Sequence, residues 1–338
     1  MALCTHCAHN PDNEGKPASL LFDPDRIGVG GGQPRPPLSG FFNVDKPAGM
    51  TSHDVVAALR RAGKERRVGH AGTLDPMATG VLLVAVGSAT RVIEYLQEGH
   101  KVYQGTVRFG LTTTSYDIEG EVVSTAAPDA VAALTREQVE AALAPFRGTI
   151  QQVPPMVSAL KHEGRRLYDL AREGIEIERE PRTVEVSELV LTDWSPPEAT
   201  FRATVSKGTY IRSLAHDLGH ILGVGGTLTA LRRLAVGPFT VEAAESLETL
   251  VDALTGDYWT QFIHPLDEAL LAFDACVVDK ATEDAIRQGR QVALPCELST
   301  SQVRAYNING DFIGLLKHDD WTKLWQPDKV FPRPSLAR

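Results

Sequence analysis

Residues 69–80 read GHAGTLDPMATG and hold the sharpest chemical signal in this sequence. Three glycines, Thr73, Thr79 and Pro76 surround a single carboxylate, Asp75. No second acid, cysteine or Gly-Lys-Ser/Thr run lies beside it. A residue before proline is pushed toward extended backbone, and proline has no N–H to share. Glycines let the backbone approach another chain or a ligand closely. The loop is therefore shaped to hold Asp75 in one pose. An aspartate that merely caps its own turn would produce the same local pattern.

Several chemistries can be weighed against that pattern. Glycoside hydrolysis uses two carboxylates about 5–9 Å apart; Asp117 is a distant candidate for a second acid, but no paired motif shows. Phosphoryl transfer needs a glycine-rich phosphate loop with a lysine, together with metal-binding acids. Neither is present, and GVGGGQP at residues 28–34 follows no strand and opens no helix. A nucleophile elbow for Ser-His-Asp chemistry is also missing. What remains is a lone aspartate acting as nucleophile, with no metal and no cofactor. Cys4, His6, Cys7 and His9 in CTHCAHN have the residue types for zinc, but a structural site wants four ligands fixed within a fold.

The elements that must position Asp75 begin at Gly40. Residues 1–39, rich in Pro, Gly, Asn and Asp, read as a flexible extension. GFFNVDKPAGMTS predicts a strand ending at Lys46-Pro47, a turn at Gly49, and a helix capped by Ser52 with Val55, Val56, Leu59 and Ala62 as its apolar stripe. VLLVAVG predicts a buried strand. KVYQGTVRFG predicts a half-buried one, with Tyr103, Val107 and Phe109 on one face. Thr135–Phe146 and Arg165–Arg172 read as helices. TVEVSELVLTDW and ATFRATVSK read as paired strands about a Ser-Pro-Pro turn. Ile211, Leu214, Ala215, Leu218, Ile221 and Leu222 form a helical stripe, capped by Thr209, with Tyr210 and Arg212 in the first turn.

After about Phe273, QVALP, QVRAYNINGDFIGLLKHDD and KVFPRP predict short strands around an Asn309-Gly310 turn. The fold class is α+β: a catalytic domain over 40–273 on a mixed, largely antiparallel sheet, and a small β-barrel-like domain over 274–338.

The net charge of −9 argues against a nucleic-acid partner, but its distribution does not. Residues 240–274 carry eight acids and no Lys or Arg. Leu59–Val68 carries Arg60, Arg61, Lys64, Arg66 and Arg67 against Glu65 alone. Fields act over a Debye length of about 8–10 Å, so a basic face can coexist with an acidic total. No apolar run reaches the roughly 18–20 residues of a membrane helix. Few cysteines and no basic-then-apolar leader favour a reducing cytoplasm.

The blocks GHAGTLDPMATGVLLVAVGSATR, GFFNVDKPAGMTSHDVV, KVYQGTVRFGLTTTSYDIEGEVV and SKGTYIRSLAHDLGHILGVGGTLTALRRLAVGPF together resemble the TruB-type tRNA pseudouridine synthases, in order, from Gly40 to Glu245. The tail resembles that family's C-terminal PUA RNA-binding domain. The resemblance implies isomerisation of uridine 55 in the TΨC stem-loop of tRNA by base flipping, without a cofactor, in a protein that nothing requires to be more than a monomer.

It also implies roles for individual residues. Asp75 is the catalytic carboxylate and Arg212 its ion-pair partner, which would lower its pKa. Tyr103 stacks on the flipped base, Tyr210 and Leu231 line the uracil pocket, and His70 holds flipped-out nucleotides. Lys46, Arg232 and Arg233 are candidate phosphate contacts. One departure stands out: Thr114 takes the place of an acid that in the family shares the arginine–aspartate network, whereas Asp117 is retained. Two other classes remain open, an RNA chaperone whose catalysis is dispensable and a nucleoside glycosidase that would release free uracil.

Overall fold

In the computed structural model the described residues are 37–332, apart from 159, 163, 176, 296, 297 and 299. The Cys4/His6/Cys7/His9 group, most of the expected extension and the last six residues lie outside them.

The first strand, β1 (Gly40–Lys46), leads through a turn into α1 (Ser52–Gly63). The cap of α1 is Thr51, in a capping box with Asp54, and not Ser52. This frees the Ser52 hydroxyl, which is buried and bonds to both the N–H and the C=O of Leu74. Val55, Val56 and Leu59 are buried as expected.

Next come β2 (Val68–His70), β3 (Thr79–Val86), a 3₁₀ turn, α2 (Ile93–Glu98) and β4 (Lys101–Phe109). A small hairpin, β5 (Leu111–Thr113) and β6 (Val122–Thr125), precedes α3 (Pro128–Ala132) and α4 (Arg136–Leu143). The following elements are β7 (Gly148–Gln152), β8 (Lys161–His162), β9 (Arg165–Arg166) and α5 (Leu167–Arg172). The helix expected from Arg165 thus begins two residues later. Then come β10 (Arg182–Ser195), β11 (Glu198–Val205) and α6 (Ile211–Ile221).

Thr209 does not cap α6. Its hydroxyl donates to the Ser206 carbonyl, and Tyr210 occupies the cap position, with both of its backbone groups bonded to the Gln152 side chain. Arg212 remains in the first turn.

The strand that follows, β12 (Gly226–Val236), is absent from the expectations. It is 11 residues long and lies at the middle of the sheet. The short β13 (Phe239–Thr240) and β14 (Glu245–Ser246), α7 (Leu247–Gly256) and β15 (Ile263–His264) complete the main unit. The path of its sheet is β14-β1-β3-β12-β4-β11-β10-β7. Pairing is antiparallel except for β1–β14 and β3–β12, so the sheet is mixed and largely antiparallel as expected.

β1 and β3 are buried on both faces. Phe42, Leu82 and Val84 pack under α1 and α7, while Phe41, Val81, Leu83 and Ala85 face Val92, Leu96, Leu315 and Phe331. A strand covered on both faces needs an unbroken apolar run, which is why VLLVAV shows no alternation.

The C-terminal unit is β16 (Asp274–Val278), α8 (Lys280–Arg287), β17 (Gln302–Asn307), β18 (Phe312–Asp319) and β19 (Leu324–Val330). Its four strands run in the order β16-β17-β18-β19. The sheet is open; no closed barrel forms among the described residues, because β16 and β19 remain its two edges. QVALP contributes only a bridge from Val292 to Trp325, and the last strand ends before KVFPRP reaches its prolines. The unit docks on the main sheet through Leu315 and Phe331 and through an Arg91 hydrogen bond to the Val330 carbonyl.

Glycine is required where α6 crosses the start of β12. A Cβ on Gly219 would lie 2.0 Å from the Gly226 nitrogen. Gly219→Ala is therefore expected to cost about 2 kcal/mol through overpacking, read as a lower midpoint in urea unfolding. An unchanged midpoint would contradict the close approach.

Candidate active site

β3 and β12 touch at only two register pairs, Arg232↔Thr79 and Arg233↔Gly80. The sheet opens at this seam, and the loop of residues 71–78 lies over it. A Cβ on Gly80 would sit 2.2 Å from the Arg233 carbonyl, and Gly80 has φ +98°, so glycine is needed on both counts.

Two buried cations hold the loop from below. Lys46 is completely buried, and its Nζ donates to the carbonyls of Pro47, Pro76 and Ala78. Arg233, 1% exposed, donates to the carbonyls of Val81 and Gly72. Neither side chain can reach a phosphate, which corrects their expected role. Arg232 forms a two-point pair with Asp45 at 2.7 and 3.1 Å, so its charge is already committed. From the side, Gly49 N–H donates to the Pro76 carbonyl and Ser52 ties down Leu74.

Held in this way, Asp75 meets Arg212 at 3.0 Å (Nε to Oδ2) and 3.3 Å (Nη2 to Oδ1). The other donors of the guanidinium go to the Val157 carbonyl at 2.8 Å, the Ser115 carbonyl at 3.1 Å and Asp117 Oδ2 at 3.2 Å. The guanidinium is thus engaged by three hydrogen bonds from Nη1 and Nη2 and by ion pairs to both carboxylates. Asp117 is buried and supplies the second acid of the network. Thr114 is exposed and accepts only the Glu121 N–H, so its replacement of an acid does not disturb how Arg212 is aimed.

The Asp75 side chain keeps 34% of its surface open to solvent, although protein packs closely around it. Burial pushes its pKa above the ordinary aspartate value. Arg212 and Lys46 oppose this rise and Asp117 adds to it. The lowered value expected from the ion pair is thus reversed, because desolvation outweighs one well-placed cation.

The other expected residues gather around the same seam. Arg233 stands opposite Tyr103 in the β4–β12 pairing and Leu231 opposite Gly105, so Tyr103, Leu231 and Arg233 share one face. Arg233 Nη1 lies 3.4 Å from the Tyr103 hydroxyl. Leu231 is 7% exposed and belongs to the main core. Tyr210 sits at the start of α6, two residues before Arg212, and burial raises its phenol pKa. His70 ends β2 and packs edge-on against His53. Its pKa is lowered by burial and by the neighbouring His53 and Arg233.

Sequence reasoning misassigned Lys46 and Arg233. A signal existed for Arg233: adjacent arginines in a strand point to opposite faces, so Arg232 and Arg233 cannot both face solvent over a covered sheet. Among the described residues no group of three His, Cys, Asp or Glu side chains is arranged to hold a metal.

Residues 60–211 match the N-terminal domain of the TruB family pseudouridylate synthases, and residues 212–271 match the tRNA pseudouridylate synthase B C-terminal domain. The tRNA pseudouridine synthase B of Gloeobacter violaceus is 55% identical over 211 residues, covering 61% of this chain and 71% of its own. That of Synechococcus sp. is 45% identical over 282 residues, covering 82% and 93%. The chain belongs to the TruB family of pseudouridylate synthases.

Solved structures similar to this TruB-family enzyme include an H/ACA RNP bound to a substrate RNA containing 2′-deoxyuridine, at TM-score 0.66 and 25% identity over 87% of this chain and 85% of that one. A Cbf5-Nop10-Gar1 complex matches at TM-score 0.66 and 27% identity, over 87% and 84%. The fold is that of the pseudouridine synthases.

The raised pKa has a consequence for the stability of this TruB-family enzyme. When a carboxyl's folded-state pKa lies above its unfolded value, the ionised form costs stability at neutral pH. That cost fades as pH falls through the folded pKa. Asp75→Asn leaves Arg212 facing Asp117 alone. It is expected to raise the thermal midpoint at neutral pH by about 1–3 °C, with the gain vanishing on acidification. A lower midpoint at neutral pH would show that the pair with Arg212 outweighs desolvation.

Proposed function

We propose that this enzyme isomerises the uridine at position 55 in the TΨC arm of tRNA, with Asp75 as its catalytic carboxylate. The observation that carries the reading is the Asp75 carboxylate, held at two points by a buried arginine and still about a third exposed to solvent. The names of the curated relatives support tRNA as the substrate.

The reaction breaks the uracil–ribose C–N bond, rotates the base and forms a C–C bond at ring carbon C5; the proton on C5 is lost and the freed N1 gains one, so the net composition is unchanged. Attack on the sugar, attack on the ring and proton abstraction all require an ionised carboxylate. The ion pair with Arg212 opposes protonation, and the restrained loop keeps the carboxylate aimed. A base in a folded tRNA arm must leave its stack first, at a cost of a few kcal/mol. Stacking on an aromatic ring returns about 1–3 kcal/mol per base. Tyr103, partly exposed on β4 at the seam, is the ring placed to do this. Leu231 and Tyr210 form the walls of the uracil pocket, and His70 contacts the nucleotides that leave the stack with the target.

Exposed cations extend the binding surface. Arg60, Arg61, Lys64, Arg66 and Arg67 are all exposed and lead along β2 to His70. They are positioned to contact tRNA phosphates, and each such contact adds to the salt dependence of binding. The unit from Asp274 onward acts as a PUA-like RNA-binding domain. The enzyme works as a monomer in the cytoplasm. No helix of the described residues is long and apolar enough to cross a membrane.

The test is turnover of unmodified tRNA, with carbodiimide-based mapping of pseudouridine. Asp75→Asn is expected to lose at least about 10³-fold in kcat, while tRNA binding in a gel-shift assay stays close to that of the unaltered enzyme. Near-normal turnover by that variant would end the proposed role of Asp75. Release of free uracil would end the isomerase reading.

A further inference from the structure

Arg212 meets the segment Ser115–Asp117 at both of its ends, through the Ser115 carbonyl and the Asp117 carboxylate. Between these contacts lies Tyr116, whose backbone is left-handed at φ 65°. Bulky side chains rarely adopt this region, so something beyond local preference must favour it. The Tyr116 carbonyl accepts the Leu228 N–H from β12, which ties the segment to the central sheet. The Tyr116 ring lies flat against the imidazole of His216, with centroids 3.8 Å apart and planes at 14°. His216 sits one turn beyond Arg212 on α6, so the arginine and the stacked ring ride on one rigid element. Burial, with His220 nearby, pushes the His216 pKa down and favours the neutral ring.

We infer that the Tyr116–His216 stack is a positioning device. It holds the Ser115–Asp117 segment in register with α6, so that Arg212 keeps its aim on Asp75. Both are positioning residues acting through Arg212. The inference rests on Asp75 being the catalytic carboxylate. The charged and titratable groups facing Asp75 are Arg212 on α6, Asp117 and Glu119 after β5, Lys46 at the end of β1 and Tyr210 at the start of α6. Arg212 is the strongest of these in opposing protonation, so a loosened Arg212 makes Asp75 easier to protonate.

The experiment measures kcat, KM and the acid limb of kcat/KM on a TΨC stem-loop for Tyr116→Gly, Tyr116→Phe, His216→Ala and Asp75→Asn. Glycine adopts φ 65° without strain, so Tyr116→Gly removes the ring and leaves the backbone path available. Its kcat is expected to fall about tenfold with KM changed by less than about twofold, and its acid limb to move to higher pH. His216→Ala should behave in the same way, and Tyr116→Phe should retain the values of the unaltered enzyme. A wild-type kcat and an unmoved acid limb in Tyr116→Gly overturn the inference, as does an equal loss in Tyr116→Phe. With Asp75→Asn inactive, either result sinks the stack alone. An active Asp75→Asn enzyme overturns the assignment of Asp75 itself, and the inference with it.

Discussion

The site depends on how one buried guanidinium is satisfied. Arg212 is 3% exposed, and an unpaired charge at that depth would be severely destabilising. Its hydrogen bonds and ion pairs are therefore obligations. They draw together the Asp75 loop, the Ser115–Asp117 segment, the Val157 carbonyl and the first turn of α6. Arg212 faces two carboxylates, Asp75 and Asp117, and Lys46 is a second cation near Asp75. Burial raises the pKa of Asp75, Asp117 adds to the rise and Arg212 and Lys46 oppose it, while the two-point contact gives the carboxylate a direction. The same contacts thus position the carboxylate and act on its protonation.

The loop carrying Asp75 is restrained in a complementary way. Lys46 and Arg233 are spent on backbone carbonyls. A loop at a sheet seam leaves carbonyls that no neighbouring strand can satisfy, and long cationic side chains reaching up from beneath fill that need. β3 and β12 share only two register pairs, and at them the backbones of Gly80 and Arg233 approach closely. Tyr103 and Leu231 face the seam because the β4–β12 register sets them opposite Arg233 and Gly105.

Much of this was legible in the residue pattern, and the exceptions have identifiable causes. The apolar stripe of α1 was correct and that of α6 was correct from Ile211 to Leu218 but failed at Ile221, which is exposed, and both caps were placed one residue off. In each case a hydroxyl that could have capped the helix made another bond, Ser52 to Leu74 and Thr209 to Ser206. β12 was missed because TLTALRRLAV has neither clean alternation nor a helical stripe, since one of its two arginines is buried as a clamp. Among the C-terminal strands β17 and β18 were expected, β16 was not and QVALP supplies only a bridge; the sheet stays open, because closure depends on whether the edge strands meet, and no local pattern encodes that.

By itself the sequence determined the local facts. Asp75 lies before a proline in a glycine-rich loop, a basic run leads into that loop, and the surrounding segments alternate or repeat as strands and helices. Tertiary structure alone decided which cation serves which purpose. Arg212 lies 137 positions from Asp75 along the chain, and Arg233 lies 161 from Gly72. Lysine and arginine are long enough to serve as phosphate contact, carbonyl clamp or ion-pair partner. Burial and the neighbours available after folding select among these roles, and neither quantity exists until distant strands have paired.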